Sequence, residues 1–265
     1  VGDFISLELL GFIALGFFAQ LVDGALGMAY GLIGTSVLLA IGLPPAVASA
    51  SVHSAEIVTT GLAGASHVWH KNIDWPLLKK LAPVGVAGGI AGAFIAVVLP
   101  EAVVKVFIAV YLLAITVFIM RRIRSKKATV GTKAQRERKL PTVPVGAAGG
   151  MLDAIGGGGW GALVTSTLLA RGDHPRRTIG SVTLSEFFLT LATSAAFFAA
   201  LDFLDYWMVV VGLIVGGAVA APFAGYISKV LQPRTLMIMV AAVIGVLSAY
   251  NLGSAALSIA EAMGH

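Results

Sequence analysis

The sequence predicts an all-α polytopic membrane protein built from two repeats of inverted topology, each a re-entrant or broken helical hairpin followed by three transmembrane helices. Three observations predict it. Hydrophobic residues fill 58% of the 265 positions and charged residues 12%, and the mean hydropathy of +0.93 lies outside the usual range of a soluble domain. Several apolar stretches reach the roughly 20 residues that cross a hydrocarbon core of about 30 Å as a helix. Finally, Asp23, Gly27, Gly31, Thr35, Ser51 and Glu56 recur 130 positions later as Asp153, Gly157, Gly161, Thr165, Ser181 and Glu186, an internal repeat that carries four acids inside apolar sequence. Alternation of strand type is missing, and Ala, Leu and Gly dominate, so helices are predicted over a barrel.

Taken in order, residues 4–41 are apolar but broken at Val22-Asp23-Gly24-Ala25-Leu26-Gly27, which predicts two helical arms around a polar turn. Spans follow over 46–69, 77–99 and 103–120. The first repeat is thus 1–120, a basic loop covers 121–141, the second repeat runs over 142–254, and 255–265 is set apart as a tail. In the second repeat two short arms, 143–152 and 157–170, flank Asp153-Ala154-Ile155-Gly156-Gly157-Gly158-Gly159. At 1.5 Å per residue neither arm crosses a bilayer, so a re-entrant hairpin is expected. Spans over 178–200, 206–230 and 235–252 complete the repeat. From Val1 onward there is no basic n-region or small-residue cleavage site, so the first apolar segment is expected to belong to the mature fold. Small residues at Gly85, Gly88, Gly89 and Gly92, and at Gly212, Gly216 and Gly217, are expected to let helices pack closely.

Charge placement sets the topology. Nine of the 18 Lys and Arg lie between Arg121 and Lys139, which predicts a cytoplasmic loop rather than a nucleic-acid surface, despite the net charge of +5 and a pI near 9.6. The loop at 171–177 is basic, the one at 200–205 carries Asp202 and Asp205, and the one at 229–234 is basic again. In the first repeat the corresponding loops alternate in the opposite sense: 42–45 is uncharged, 67–80 carries Lys71, Lys79 and Lys80, and 99–101 lacks a base. Corresponding loops therefore fall on opposite sides, with both termini outside. Lys105 lies near an outer end and reads as a snorkelling anchor.

Chemistry is expected at the hairpins. Helix starts present free N–H groups and a positive dipole end, a cradle for an anion, and inverted hairpins bring two of them toward the midplane. Asp23 and Asp153 either cap those starts or flank a site. After each hairpin comes a polar helical stripe, Ser49, His53, Glu56 and Thr60, matched by Thr183, Glu186, Thr190 and Thr193. His53 either contacts substrate or bonds between helices. The glutamates carry protons or brace the hairpins. The candidate substrate residues are Gly24, Gly27, Thr35, Ser51 and His53 in the first repeat. In the second they are Gly156, Gly157, Gly158, Gly159, Thr165, Ser181 and Thr183. Asp23, Glu56, Asp153 and Glu186 are the coupling or gating groups. The absence of cysteine excludes disulfides and thiolate chemistry, and no metal or organic cofactor is expected. No His-Glu-x-x-His helix or Gly-x-Ser-x-Gly elbow suggests an enzyme.

The run Asp153-Ala154-Ile155-Gly156-Gly157-Gly158-Gly159-Trp160-Gly161, with Arg171-Gly172, Gly180-Ser181 and Glu186-Phe187-Phe188, resembles the TauE/SafE family of sulfite and organosulfonate exporters. Asp23-Gly24-Ala25-Leu26-Gly27-Met28-Ala29-Tyr30-Gly31 and the stretch from Ala48 to Glu56 look like that family's first repeat. The resemblance covers nearly the whole chain except the basic loop. It implies a bacterial inner-membrane transporter that exports a small sulfur-containing oxyanion, whose partners are that anion and the lipid bilayer. The alternative is a cation or metal-ion transporter that uses the buried carboxylates and His53 as ligands. The repeats differ where His53 faces Thr183 and where Gly156 to Gly159 face Leu26 to Ala29, so unequal contributions to one site are expected. On a cysteine-free chain, the topology predicts that a membrane-impermeant thiol reagent added to intact cells labels Asp202→Cys and spares Ser125→Cys.

Overall fold

The computed structural model describes residues 6–124, 142–170, 173–201, 204–230 and 232–263, and among them only helices occur. The first half comprises α1 (Leu7–Leu26), α2 (Tyr30–Ala40), α3 (Pro45–Trp69), α4 (Trp75–Val98) and α5 (Glu101–Arg124). The second comprises α6 (Thr142–Gly156), α7, which opens with a π-helical turn (Gly161–Thr165) and continues over Ser166–Ala170, α8 (Pro175–Ala200), α9 (Trp207–Val230) and α10 (Pro233–Met263). Each half is therefore a helix pair followed by three long helices, as the repeat predicts. The basic loop is expected from 121, but Arg121 to Arg124 continue α5; residues 125–141, Arg171, Gly172 and Asp202 lie outside the described residues.

Local sequence explains the boundaries. Ser6 caps α1 by accepting the Leu9 N–H at 3.1 Å, and Asp74 caps α4 by accepting the Leu77 N–H at 3.1 Å. Prolines near the starts of α3, α4 and α8 occupy positions whose missing N–H costs nothing. Two expected boundaries move. Residues 255–263, set apart as a tail, continue α10. The arms of the first hairpin are unequal: α1 has 20 residues, about 30 Å of helix, and is long and apolar enough to cross a membrane, whereas α2 has 11.

Among the described residues, five helices are long and apolar enough to cross a membrane, namely Leu7–Leu26, Trp75–Val98, Glu101–Arg121, Pro175–Ala200 and Arg234–Leu257. Large apolar side chains stand exposed along them, among them Phe94, Val98, Val110, Phe118 and Val246. In water such surface would be a liability, but in lipid it is the solvent-facing side. α3 lacks that apolar character because it is the centre of the molecule. From Val47 to Glu56 every residue is buried, including Ser49, Ser51, His53, Ser54 and Glu56.

The helix pairs interlock across the halves. α1 packs along α9 of the other half, and α6 packs along α4. α3 packs on α8, and α5 on α10. Glycine makes the first two contacts possible: a Cβ on Gly88 would strike the Ala147 carbonyl, one on Gly150 the Gly85 carbonyl, and one on Gly216 the Ile13 carbonyl. Backbone cannot yield as a side chain can, so these small residues set the helix separation. Gly88→Ala should therefore lower stability by about 1–3 kcal/mol, through overpacking against a rigid carbonyl. Gly11→Ala, which meets open space on α1, should leave the thermal midpoint in detergent unchanged or raised.

Candidate functional site

The two helix breaks use the same device. α1 ends at Leu26, and Gly27 adopts a left-handed φ of 70° and returns its N–H to the Asp23 carbonyl. α6 ends at Gly156, after which Gly157, Gly158 and Gly159 have φ of 67°, 144° and 125°. A run of that kind turns the chain where L side chains would be strained, and the Gly158 N–H donates to the Asp153 carbonyl at 2.9 Å.

Both aspartates sit in the last turn of the first arm. This corrects the expectation that the aspartates lie in the turns between the arms: the first arms run past them to Leu26 and Gly156, and the second arms start at Tyr30 and Gly161. The carboxylates still serve those arms by reaching across the break. The Ala29 and Tyr30 N–H groups donate to Asp23 Oδ1 at 2.7 and 3.2 Å, and the Trp160 N–H donates to Asp153 Oδ1 at 2.7 Å. The Gly31 N–H is taken by the Glu56 carboxylate. The chain's own acids thus take several of the helix-start donors inferred from the sequence at the first break and the Trp160 N–H at the second.

The breaks meet back to back. A Cβ on Gly31 would lie 2.7 Å from Gly158 Cα and 3.0 Å from Glu56 Oε1. Gly157 is pressed against Thr35, whose hydroxyl donates to the Gly157 carbonyl at 2.5 Å. Gly156 and Gly159 lie against Tyr111, whose hydroxyl donates to the Gly158 carbonyl at 3.0 Å. All four glycines are buried. Glu56, Asp153, Glu186 and Asp23 lie close enough to influence one another electrostatically. Asp153 and Glu56 are 1% and 5% exposed, whereas Asp23 and Glu186 are only partly buried.

The remaining sequence-derived candidates separate. Thr165 is buried in the π-helical turn, and Ser51 is fully buried with no hydrogen-bond partner for its Oγ. Gly24 is exposed within α1 and Thr183 is half-buried on α8. Ser181 accepts the Asp74 N–H on its Oγ at 2.7 Å and ties α8 to the turn between α3 and α4. His53 takes the interhelical alternative, since its Nε2 is 2.9 Å from Asp153 Oδ2 and its Nδ1 is 2.8 Å from the Ser49 carbonyl. With both ring nitrogens engaged it has none left for a metal ion. Among the described residues no group of three His, Asp or Glu side chains is arranged to hold one. Tyr111 was missed by the sequence reading, although a hydroxyl-bearing aromatic in the middle of an apolar span was a signal that it has a polar partner.

A cavity of about 590 Å³ opens beside α1, between Phe12, Leu15, Val37, Leu43 and Val209, with Glu8 and Asp205 also lining it. No residue of either break lines it.

Residues 12–251 match the family described as Sulfite exporter TauE/SafE. The chain is also 38% identical over 248 residues to the "Probable membrane transporter protein YtnM" of Bacillus subtilis (strain 168), a match that covers 92% of this chain and 83% of that protein. No solved structure matches. The paired breaks, the apolar helices and a family match across nearly the whole chain lead to one conclusion: this multi-pass membrane protein belongs to the TauE/SafE family of membrane transporters.

Proposed function

We propose that this chain is a secondary transporter that exports a small sulfur-containing oxyanion, sulfite or an organosulfonate, across the bacterial inner membrane by alternating access. One observation carries the reading beyond the family: the two helix breaks converge at Gly31 and Gly158, and their amides already hold anionic groups. Donors that accommodate the Asp23 and Asp153 carboxylates suit an oxyanion of similar size and charge. The acids then act as internal competitors, occupying the amides when substrate is absent and giving way when it arrives or when they take up a proton. The exchanged packing of α1 on α9 and α6 on α4 supports two inverted repeats, 1–120 and 142–254, rocking about the α3–α8 contact. In that topology the 121–141 loop is cytoplasmic and both termini are outside. A membrane potential negative inside favours anion exit by about 2.3 kcal/mol per charge per 100 mV, so coupling to protons is an added possibility rather than a requirement.

In proteoliposomes containing the full chain, an imposed potential should drive efflux of labelled sulfite. Retention of sulfite, sulfoacetate and thiosulfate at every potential would end the exporter reading. If Glu56 and Glu186 carry protons, Glu56→Gln and Glu186→Gln should flatten the dependence of efflux on a pH gradient, and rates matching the parent would remove the proton role. Asp23→Asn should keep the hairpin, because an amide oxygen still accepts the Ala29 and Tyr30 N–H groups. Asp23→Ala should cost about 1–2 kcal/mol in thermal stability.

A further inference from the structure

The pairing of His53 with Asp153 has no counterpart in the other half. Positions equivalent to Ser49 and His53 on α8 are Ile179 and Thr183, and Asp23 takes amides without a basic partner. On α3, Ser49 donates its hydroxyl to the Ala154 carbonyl at 2.6 Å, directly beside the His53 contact. α3 of the first half thus grips α6 of the second through two adjacent polar bonds.

The geometry determines where one proton lies. A backbone carbonyl can only accept, so Nδ1 of His53, 2.8 Å from the Ser49 oxygen, carries a hydrogen. The Nε2 to Oδ2 separation of 2.9 Å then requires one proton between ring and carboxyl, because a bare nitrogen lone pair would repel a carboxylate. Imidazolium with carboxylate and imidazole with carboxylic acid both satisfy it, and both leave the pair with zero net charge. The groups facing the pair are the Phe197 ring, with centroids 6.3 Å apart, the Trp160 N–H, Tyr111, and the glutamates Glu56 and Glu186. None of these supplies a compensating cation, so among the described residues only His53 offsets an ionised Asp153, which is 1% exposed; without His53 the carboxylate stands unpaired or must draw its proton from elsewhere.

We propose that His53 is a positioning residue for transport, supplying the one proton that cancels the charge of Asp153, so that the second helix break meets the transported anion as a neutral surface. Asp23, partly exposed, has no histidine beside it and is met by backbone amides alone. This rests on the anion-transport reading above. It deepens that reading by making the two breaks electrostatically unequal despite their matching sequence.

The test uses the full chain in proteoliposomes at neutral pH, with sulfite efflux as one readout and the ¹⁵N signal of the His53 side chain as the other. His53→Thr should insert normally and lower efflux at least about tenfold, as expected for an unpaired buried charge. His53→Gln should be nearly as impaired, because its amide can donate to Asp153 but brings no proton. His53→Thr combined with Asp153→Asn should regain most of the rate, since no charge remains and the Asn oxygen still accepts the Trp160 N–H. Full activity of His53→Gln, or a double variant no better than His53→Thr, would show a purely structural role and overturn the proposal. Independently, the parent His53 ring should show hydrogen on Nδ1 and a shared proton at Nε2. A ring with Nδ1 bare would overturn the proposal without reference to transport. A parent that moves no sulfite yet shows the shared proton would refute the anion reading alone and leave the neutral pair standing.

Discussion

Interrupting a helix inside a bilayer frees backbone amides where no water can take them, and the whole centre of this molecule answers that constraint. Asp23 and Asp153 each reach across a break and hold amides of the following arm. Glu56 holds the Gly31 amide. The freed carbonyls of Gly157 and Gly158 are met by Thr35 and Tyr111. Every one of these partners is imported from another helix or from the far side of the break, so the breaks can exist only inside the assembled bundle.

That arrangement couples stability to function. Amides that hold carboxylates are the basis of the anion-transport reading proposed above, in which the chain's own acids are displaced, neutralised or left in place as substrate comes and goes. The cost of four acids in one apolar region is spread differently over the two halves. Asp153 is buried against His53, and Glu56 against a backbone amide, while Asp23 and Glu186 keep partial access to the surroundings. Matching sequence thus gives two breaks with unlike surroundings, since only Asp153 has a histidine partner.

Much of this was legible in the chain. The internal repeat located both breaks, hydropathy located the long helices within a few residues except for the end of α10, which runs on to Met263, and the helical spacing of Ser49, His53 and Glu56 placed them on one buried face. The glycine stripes of α4 and α9 were read as packing residues: Gly88 and Gly92 meet backbone carbonyls of α6 and Gly216 one of α1, while Gly85, Gly89 and Gly217 meet side chains. Ser181 illustrates what was not legible. It matches Ser51 in the repeat, yet one hydroxyl serves a turn from the other half and the other is buried without a partner. Equivalent positions acquire different neighbours because the loops and helix lengths around them differ.

The sequence by itself determined the solvent, the helices and the two sites of interruption. Those follow from composition, periodicity and the cost of an acid in lipid, all of which are local or additive along the chain. Only the tertiary structure decided which acid takes which amide, that the two breaks touch through Gly31 and Gly158, and that His53 joins Asp153 rather than standing free. The last two outcomes depend on residues a hundred or more positions apart meeting in space, and pattern along a chain carries no measure of that separation.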